Sequence, residues 1–142
     1  MREMKFRGKD YSGQWVYGDL LQLNDGDVQI GVHGQYIDDG YHFNSSWNKC
    51  VNVNEETIGQ YTGLRDKYGK EIYEGDIIRS YDSENNPIIH YIQWHNSNAC
   101  YVAIIPQYPC TCSTITKDWI EEYDKKIIGN IHDNPELIKE ER

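Results

Sequence analysis

Alanine and leucine are scarce in this chain of 142 residues, with two of the first and five of the second. The strongest helix formers are therefore missing, and an architecture of long helices is not expected. No apolar run approaches the ~20 residues that a membrane-spanning helix requires. Cations are also short: 14 Lys and Arg stand against 23 Asp and Glu, for a formal net charge of -9. The acid is spread over both halves, so the surface repels nucleic acid and anionic membranes at long range, and bulk DNA binding is not expected. A local basic pocket stays open, as does an acidic surface that imitates nucleic acid. The segment Met1 to Asp10 is polar and charged, unlike a secretory leader, which points to a cytoplasmic location. In that compartment the four cysteines, Cys50, Cys100, Cys110 and Cys112, are expected as reduced thiols.

Aromatic residues, in contrast, make up 13% of the chain, with 12 Tyr and 4 Trp. Such rings favour strands, and they can fill a core while still reaching the surface. The chain also repeats itself. Lys9-Asp10-Tyr11-Ser12-Gly13 followed by Tyr17-Gly18-Asp19-Leu20-Leu21 is answered by Arg65-Asp66-Lys67-Tyr68-Gly69 followed by Tyr73-Glu74-Gly75-Asp76-Ile77-Ile78. Ile58-Gly59-Gln60-Tyr61 is answered by Ile128-Gly129-Asn130-Ile131. This predicts two small β modules, residues 1–62 and 63–142, barrel-like or sandwich-like. They arise either by duplication or by reuse of common turn chemistry.

Turn signals are dense. Asp10 to Gly13, Asn24 to Asp27 and Asp66 to Gly69 each pair a carboxylate that can bond its own backbone with a glycine that accepts positive φ. Strands are expected at Lys5 to Gly8, Gln14 to Leu23 (broken at Gly18-Asp19), Val28 to Val32, Thr57 to Tyr61, Asp76 to Tyr81, Ile88 to His95, Ala99 to Ile105 and Lys126 to His132. His33 to Gly40 holds two weaker turns, Phe43 to Asn54 is ambiguous, and Pro106 to Ser113 reads as irregular. Thr116 caps one short helix, Lys117 to Tyr123, and Asn134-Pro135 opens a single helical turn. Lys139 to Arg142 should fray. The fold class is thus mainly β with one or two short helices.

Three blocks carry a family likeness: Met1 to Gly8, the unbroken string Gly59 to Ile78, and Ile128-Gly129-Asn130-Ile131-His132-Asp133-Asn134-Pro135-Glu136-Leu137. Together they resemble the signature of the YopX-like family of bacteriophage and prophage proteins. The resemblance implies a small, phage-encoded, mostly β protein. It brings no catalytic residues with it, because the signature positions read as turn formers and core apolar residues. Gln22 to Asn54 and Tyr81 to Ile115 lie outside the signature.

Candidate chemistry is sparse. Cys110-Thr111-Cys112 has one residue between its thiols where structural zinc sites commonly have two or more, and Cys100 and Cys50 are scattered, so core packing is preferred to a metal site. His90 and His95 fall on opposite faces of one strand. His33, His42 and His132 lie in or near turns. Cys100 and His95 can meet across the Asn96-Ser97-Asn98 turn, but a nucleophile also needs an orienting group and a pocket. Asp19 and Asp76, at matching corners, are expected to bond local backbone. Gly34 to Gly40 lacks the following helix that a phosphate loop needs. No catalytic set, metal or cofactor is therefore expected. The candidate ligand contacts are Arg65, Arg79, Tyr91, Trp94 and Tyr101, with Arg7, Lys70, Tyr61 and Tyr73 as further members of a possible cation-aromatic clamp.

These features point to a non-enzymatic phage accessory protein that acts by binding, as a homo-oligomer, in the host bacterial cell. Its partners are other copies of itself and either a host protein or a small nucleotide. Two alternatives are a sponge that sequesters a host signalling nucleotide and an acidic nucleic-acid mimic that inhibits a host defence nuclease.

Overall fold

The computed structural model describes residues 3–33 and 47–139. The expected turns within His33 to Gly40, together with His42, the start of the ambiguous Phe43 to Asn54 segment and most of the fraying end, lie outside the described residues apart from His33 itself. The chain divides into two compact units, Met1–Gln60 and Tyr61–Arg142. The strands form two antiparallel sheets, in the orders β4-β3-β2-β1-β5-β6 and β10-β9-β8-β7-β11. Neither sheet closes into a barrel among the described residues.

The first unit contains β1 (Phe6–Lys9), β2 (Trp15–Gln22), β3 (Val28–His33), β4 (Trp47–Asn52) and a 3-10 turn, Glu55–Thr57. Strand β5 (Gly59–Arg65) starts here, pairing with β1 through Gly59 and Gln60. Strand β2 is continuous through Gly18-Asp19, where a break was expected. Gly18 pairs with Phe6 of β1 and Asp19 with Gly31 of β3, so the pairing changes partner there while the strand runs on. A Cβ on Gly18 would lie 2.0 Å from the Gly31 carbonyl oxygen, which accounts for the glycine by close approach. The ambiguous segment contributes β4, which pairs along β3. Ile30 and Val53 are the fully enclosed apolar side chains, and Arg7 is buried with its guanidinium 4.7 Å from the Trp15 ring centre.

The second unit contains the rest of β5, β6 (Glu71–Tyr73), β7 (Asp76–Tyr81), β8 (Pro87–His95), β9 (Cys100–Ile105), β10 (Tyr108–Thr114), α1 (Lys117–Glu121), β11 (Lys126–Asn130) and a closing 3-10 turn, Pro135–Ile138. Its core is built on isoleucine. Ile72, Ile78, Ile92, Ile115, Ile120 and Ile127 cluster with Ala103, and Leu64, Tyr101 and Trp119 pack around them. β-branched side chains suit the pleat, and each buried one is worth about 2 kcal/mol. Pro106 to Ser113, expected as irregular, largely becomes β10, an edge strand exposed along its whole length, with a register shift between Tyr108 and Cys112. An edge tolerates Pro109 because half of its backbone donors need no partner. Helix α1 ends two residues before the expected Tyr123, because Glu122 is already extended at ψ 141; Tyr123 and Asp124 follow in left-handed conformations at φ 55.

The repeated turns match bond for bond. Asp10 Oδ1 accepts hydrogen bonds from the Ser12 and Gln14 N–H groups, and Asp66 Oδ1 accepts from those of Tyr68 and Lys70, each at 2.9 Å. Beyond the turns the two copies diverge. Tyr73 to Asp76 is a tight corner between β6 and β7, with the Tyr73 N–H donating to Asp76 Oδ2 at 2.8 Å and Gly75 at φ 88. Its counterpart in the first unit is the unbroken β2. Asp19 does not repeat the Asp76 bond either; it pairs with His33 Nε2 at 2.9 Å. The matching corners therefore hold two unlike carboxylates, because only one of the two segments turns.

Candidate ligand-binding groove

The β5–β6 hairpin and helix α1 enclose a groove of about 490 Å³ in the second unit. Its lining is Tyr61, Gly63, Leu64, Arg65, Asp66, Lys67, Lys117, Ile120 and Glu121.

The hairpin wall is fixed by Asp66, which is buried at 6% exposure. Besides the two turn bonds, its Oδ2 accepts from the Ile127 N–H at 3.0 Å, so the carboxylate ties the hairpin to β11. Arg65 and Lys67 flank this staple. The Arg65 guanidinium donates to the Gly69 carbonyl at 3.0 Å and lies 3.8 Å from Glu71, leaving more than half of its surface exposed. The opposite wall starts at Thr116, whose hydroxyl accepts from the Trp119 N–H at 3.1 Å and caps α1. Residues three and four apart share a helix face, so Lys117, Ile120 and Glu121 point together. Ile120 is buried in the core and Leu64 is half-buried beside it, giving an apolar floor. Among the described residues, neither Lys67 nor Lys117 pairs its ammonium with a carboxylate. With Asp66 spent on backbone donors, the lining presents Lys67, Lys117 and an Arg65 already near Glu71 against one uncommitted carboxylate, Glu121. This is a local inversion of charge on an acidic chain.

The five residues expected to meet a ligand do not form one cluster. Strand register puts Trp94 opposite Tyr101, their rings edge to face at 5.0 Å, on the face that carries the isoleucine core. Arg79 and Tyr91 alternate onto the other face, where Arg79 stacks 5.2 Å from Tyr81 and lies 3.8 Å from Asp124. Of the five, Arg65 alone lines the groove. Tyr61, from the wider clamp, lines it too; Lys67, Lys117, Ile120 and Glu121 were not singled out in the sequence, where only the capped helix after Thr116 hinted at the second wall.

Behind α1 lies a buried polar cluster. His90 Nε2 sits 3.1 Å from the Ser80 hydroxyl, and the His90 ring meets Trp119 edge-on at 5.4 Å. His90 Nδ1 is buried without a hydrogen-bond partner. Burial, aided by the nearby Lys125 ammonium, pushes the His90 pKa down to about 4. Lys125 is itself enclosed, 4.5 Å from the Trp119 ring and donating to the Glu122 carbonyl at 2.6 Å, and burial lowers its pKa. A serine-histidine pair is present, yet Ser80 and His90 are only 3% and 6% exposed, so a substrate has no approach to it.

His95 faces Cys100 directly across β8 and β9, but its Nδ1 accepts from the Asn98 N–H at 3.3 Å and so serves the turn. Core packing was the expected fate of the cysteines; Cys50, Cys110 and Cys112 are instead exposed, and Cys100 is partly so. Three of the four lie on edge strands, where side chains lack a covering layer. No three His, Cys, Asp or Glu side chains converge at metal-binding distance among the described residues. No helix among them is long and apolar enough to cross a membrane.

The signature near the chain end is structural. Asn130 Oδ1 accepts from the His132 and Asp133 N–H groups, and Asn134 Oδ1 accepts from the Asn130 N–H. A Cβ on Gly129 would lie 2.3 Å from Asn134 Oδ1. A model of the YopX protein family matches residues 5–139. The chain belongs to the YopX family. No curated protein matches it. Among solved structures it is similar to protein EF1440 from Enterococcus faecalis, at 22% identity and a TM-score of 0.58, over 98% of this chain and 100% of that one. At that identity the likeness shows the fold alone.

Proposed function

We propose that this YopX-family chain is a non-enzymatic phage accessory protein that works by binding inside the host bacterial cell. The groove of the second unit is its binding site, and a small anion is its ligand. The observation that carries this reading is the set of three cationic side chains around an apolar floor, on a chain whose net charge is -9. The groove lining includes no histidine, serine or cysteine, and the Ser80–His90 pair is sealed behind α1, so the same region is equipped to hold an anion more readily than to transform one.

The protein acts as a homo-oligomer. Support comes from rings left at the surface, among them Tyr108 on the open edge β10 and Trp94 on β8, two strands in from it in the same sheet. Paired copies would cover such an edge and its rings.

A thermal-shift screen of small anions (dicarboxylates, sugar phosphates and nucleotides) tests the binding reading, since a ligand that binds only the folded state raises its melting temperature. At least one class should raise it. No shift from any member at millimolar concentration would overturn the reading.

A further inference from the structure

Building on that reading, we infer that the ligand is a nucleoside phosphate, its base lying on Leu64 and Ile120 and its phosphate held by Arg65, Lys67 and Lys117. The groove is chemically two-sided: an apolar floor supplied by side chains of the isoleucine core, and a cationic rim supplied by the hairpin and the exposed face of α1. A simple inorganic anion would use only the rim, and an apolar ligand only the floor. A planar, weakly polar ring joined to a dianion uses both, and a groove of about 490 Å³ has room for one nucleotide. Arg65 is anchored on the rim by its bond to the Gly69 carbonyl, and more than half of its side chain stays exposed to meet a phosphate. Glu121, the remaining carboxylate of the lining, sits one helical turn from Lys117. It favours a ligand with donors on its base or ribose as well as a phosphate, and disfavours a purely anionic one.

The test is isothermal titration of the full chain with adenosine 5′-monophosphate, adenosine and inorganic phosphate as separate probes. The monophosphate should bind, with adenosine and phosphate each weaker by roughly tenfold or more. Lys117→Glu should weaken the monophosphate by a similar factor, roughly tenfold, and leave adenosine unchanged. Lys117 is exposed and unpaired among the described residues, so this reversal spares the fold. Arg65→Glu gives a second, independent reversal on the other wall. Phosphate binding as tightly as the monophosphate would overturn the nucleoside assignment. So would absence of monophosphate binding at millimolar concentration. In that case a sugar phosphate or dicarboxylate that still raises the melting temperature would leave the binding reading standing and sink only the ligand class.

Discussion

Asp66 uses both carboxylate oxygens on three backbone donors, those of Tyr68, Lys70 and Ile127, inside the protein. Asp10 makes the equivalent turn bonds in the open, with a third to the Ser12 hydroxyl. That hydroxyl, followed by the backbone donors, holds the Asp10 carboxyl below its ordinary range. Hydrogen bonds to charged groups contribute more when buried, and deserting buried donors costs more than deserting exposed ones. Asp66→Ala should therefore destabilise the protein by about 3 kcal/mol and Asp10→Ala by distinctly less, measured by urea denaturation. His90 provides a pH signature. Its folded pKa of about 4 lies below the ordinary 6.5, so between those values the unfolded chain takes up a proton that the folded chain refuses. Stability should fall as pH drops from 6.5 toward 4, by on the order of 3 kcal/mol in total. His90→Phe should remove that part of the slope, read as the difference between the two proteins' denaturation midpoints across the range.

Hairpins are the element in which this chain is most uniform. Five hairpin turns among the described residues place one residue at positive φ: Gly13 at 89, Gly26 at 91, Gly69 at 86, Asn85 at 64 and Ala99 at 51. Glycine and asparagine adopt that conformation readily and alanine does not. Ala99→Gly should stabilise the β8–β9 hairpin by about 0.5–1 kcal/mol after the entropy glycine adds to the unfolded chain, seen as a raised melting temperature. The turn chemistry also explains why so many elements were legible. Asp10, Asp25 and Asp66 with their glycines announce corners locally, and β3, β7, β8 and β9 fall between corners with little choice left. Strand β10 was not legible because prolines normally end strands, and only its position at a sheet edge, a property of the assembled sheet, relieves that rule. The end of α1 was missed because the Trp119 and Tyr123 spacing fits a helix, whereas the chain leaves the helix at the extended Glu122 and Tyr123 ends exposed.

At the scale of the whole molecule the site was far less legible than the scaffold. Arg65 and Lys117 lie 52 positions apart in sequence and share a groove because the Asp66 staple and the Thr116 cap place them there. Arg65 was singled out from the sequence, but nothing local marks Lys117 as its partner. Tyr91 and Trp94 are close in sequence, yet strand alternation sends them to opposite faces, so a cluster drawn from sequence could not survive folding. Assembly is open to measurement at this scale too: light scattering on a sizing column should return a mass that is a multiple of 16.7 kDa, and a strict monomer at micromolar concentration would refute the oligomer. The central claim, that the second unit binds a small anion between its hairpin and its short helix, is tested most directly by amide chemical shifts of the labelled protein during titration with adenosine 5′-monophosphate. Saturable shifts should concentrate at residues 63–67 and 117–121. Saturable shifts centred elsewhere, such as around Asp19 and His33, or none at all, would contradict it.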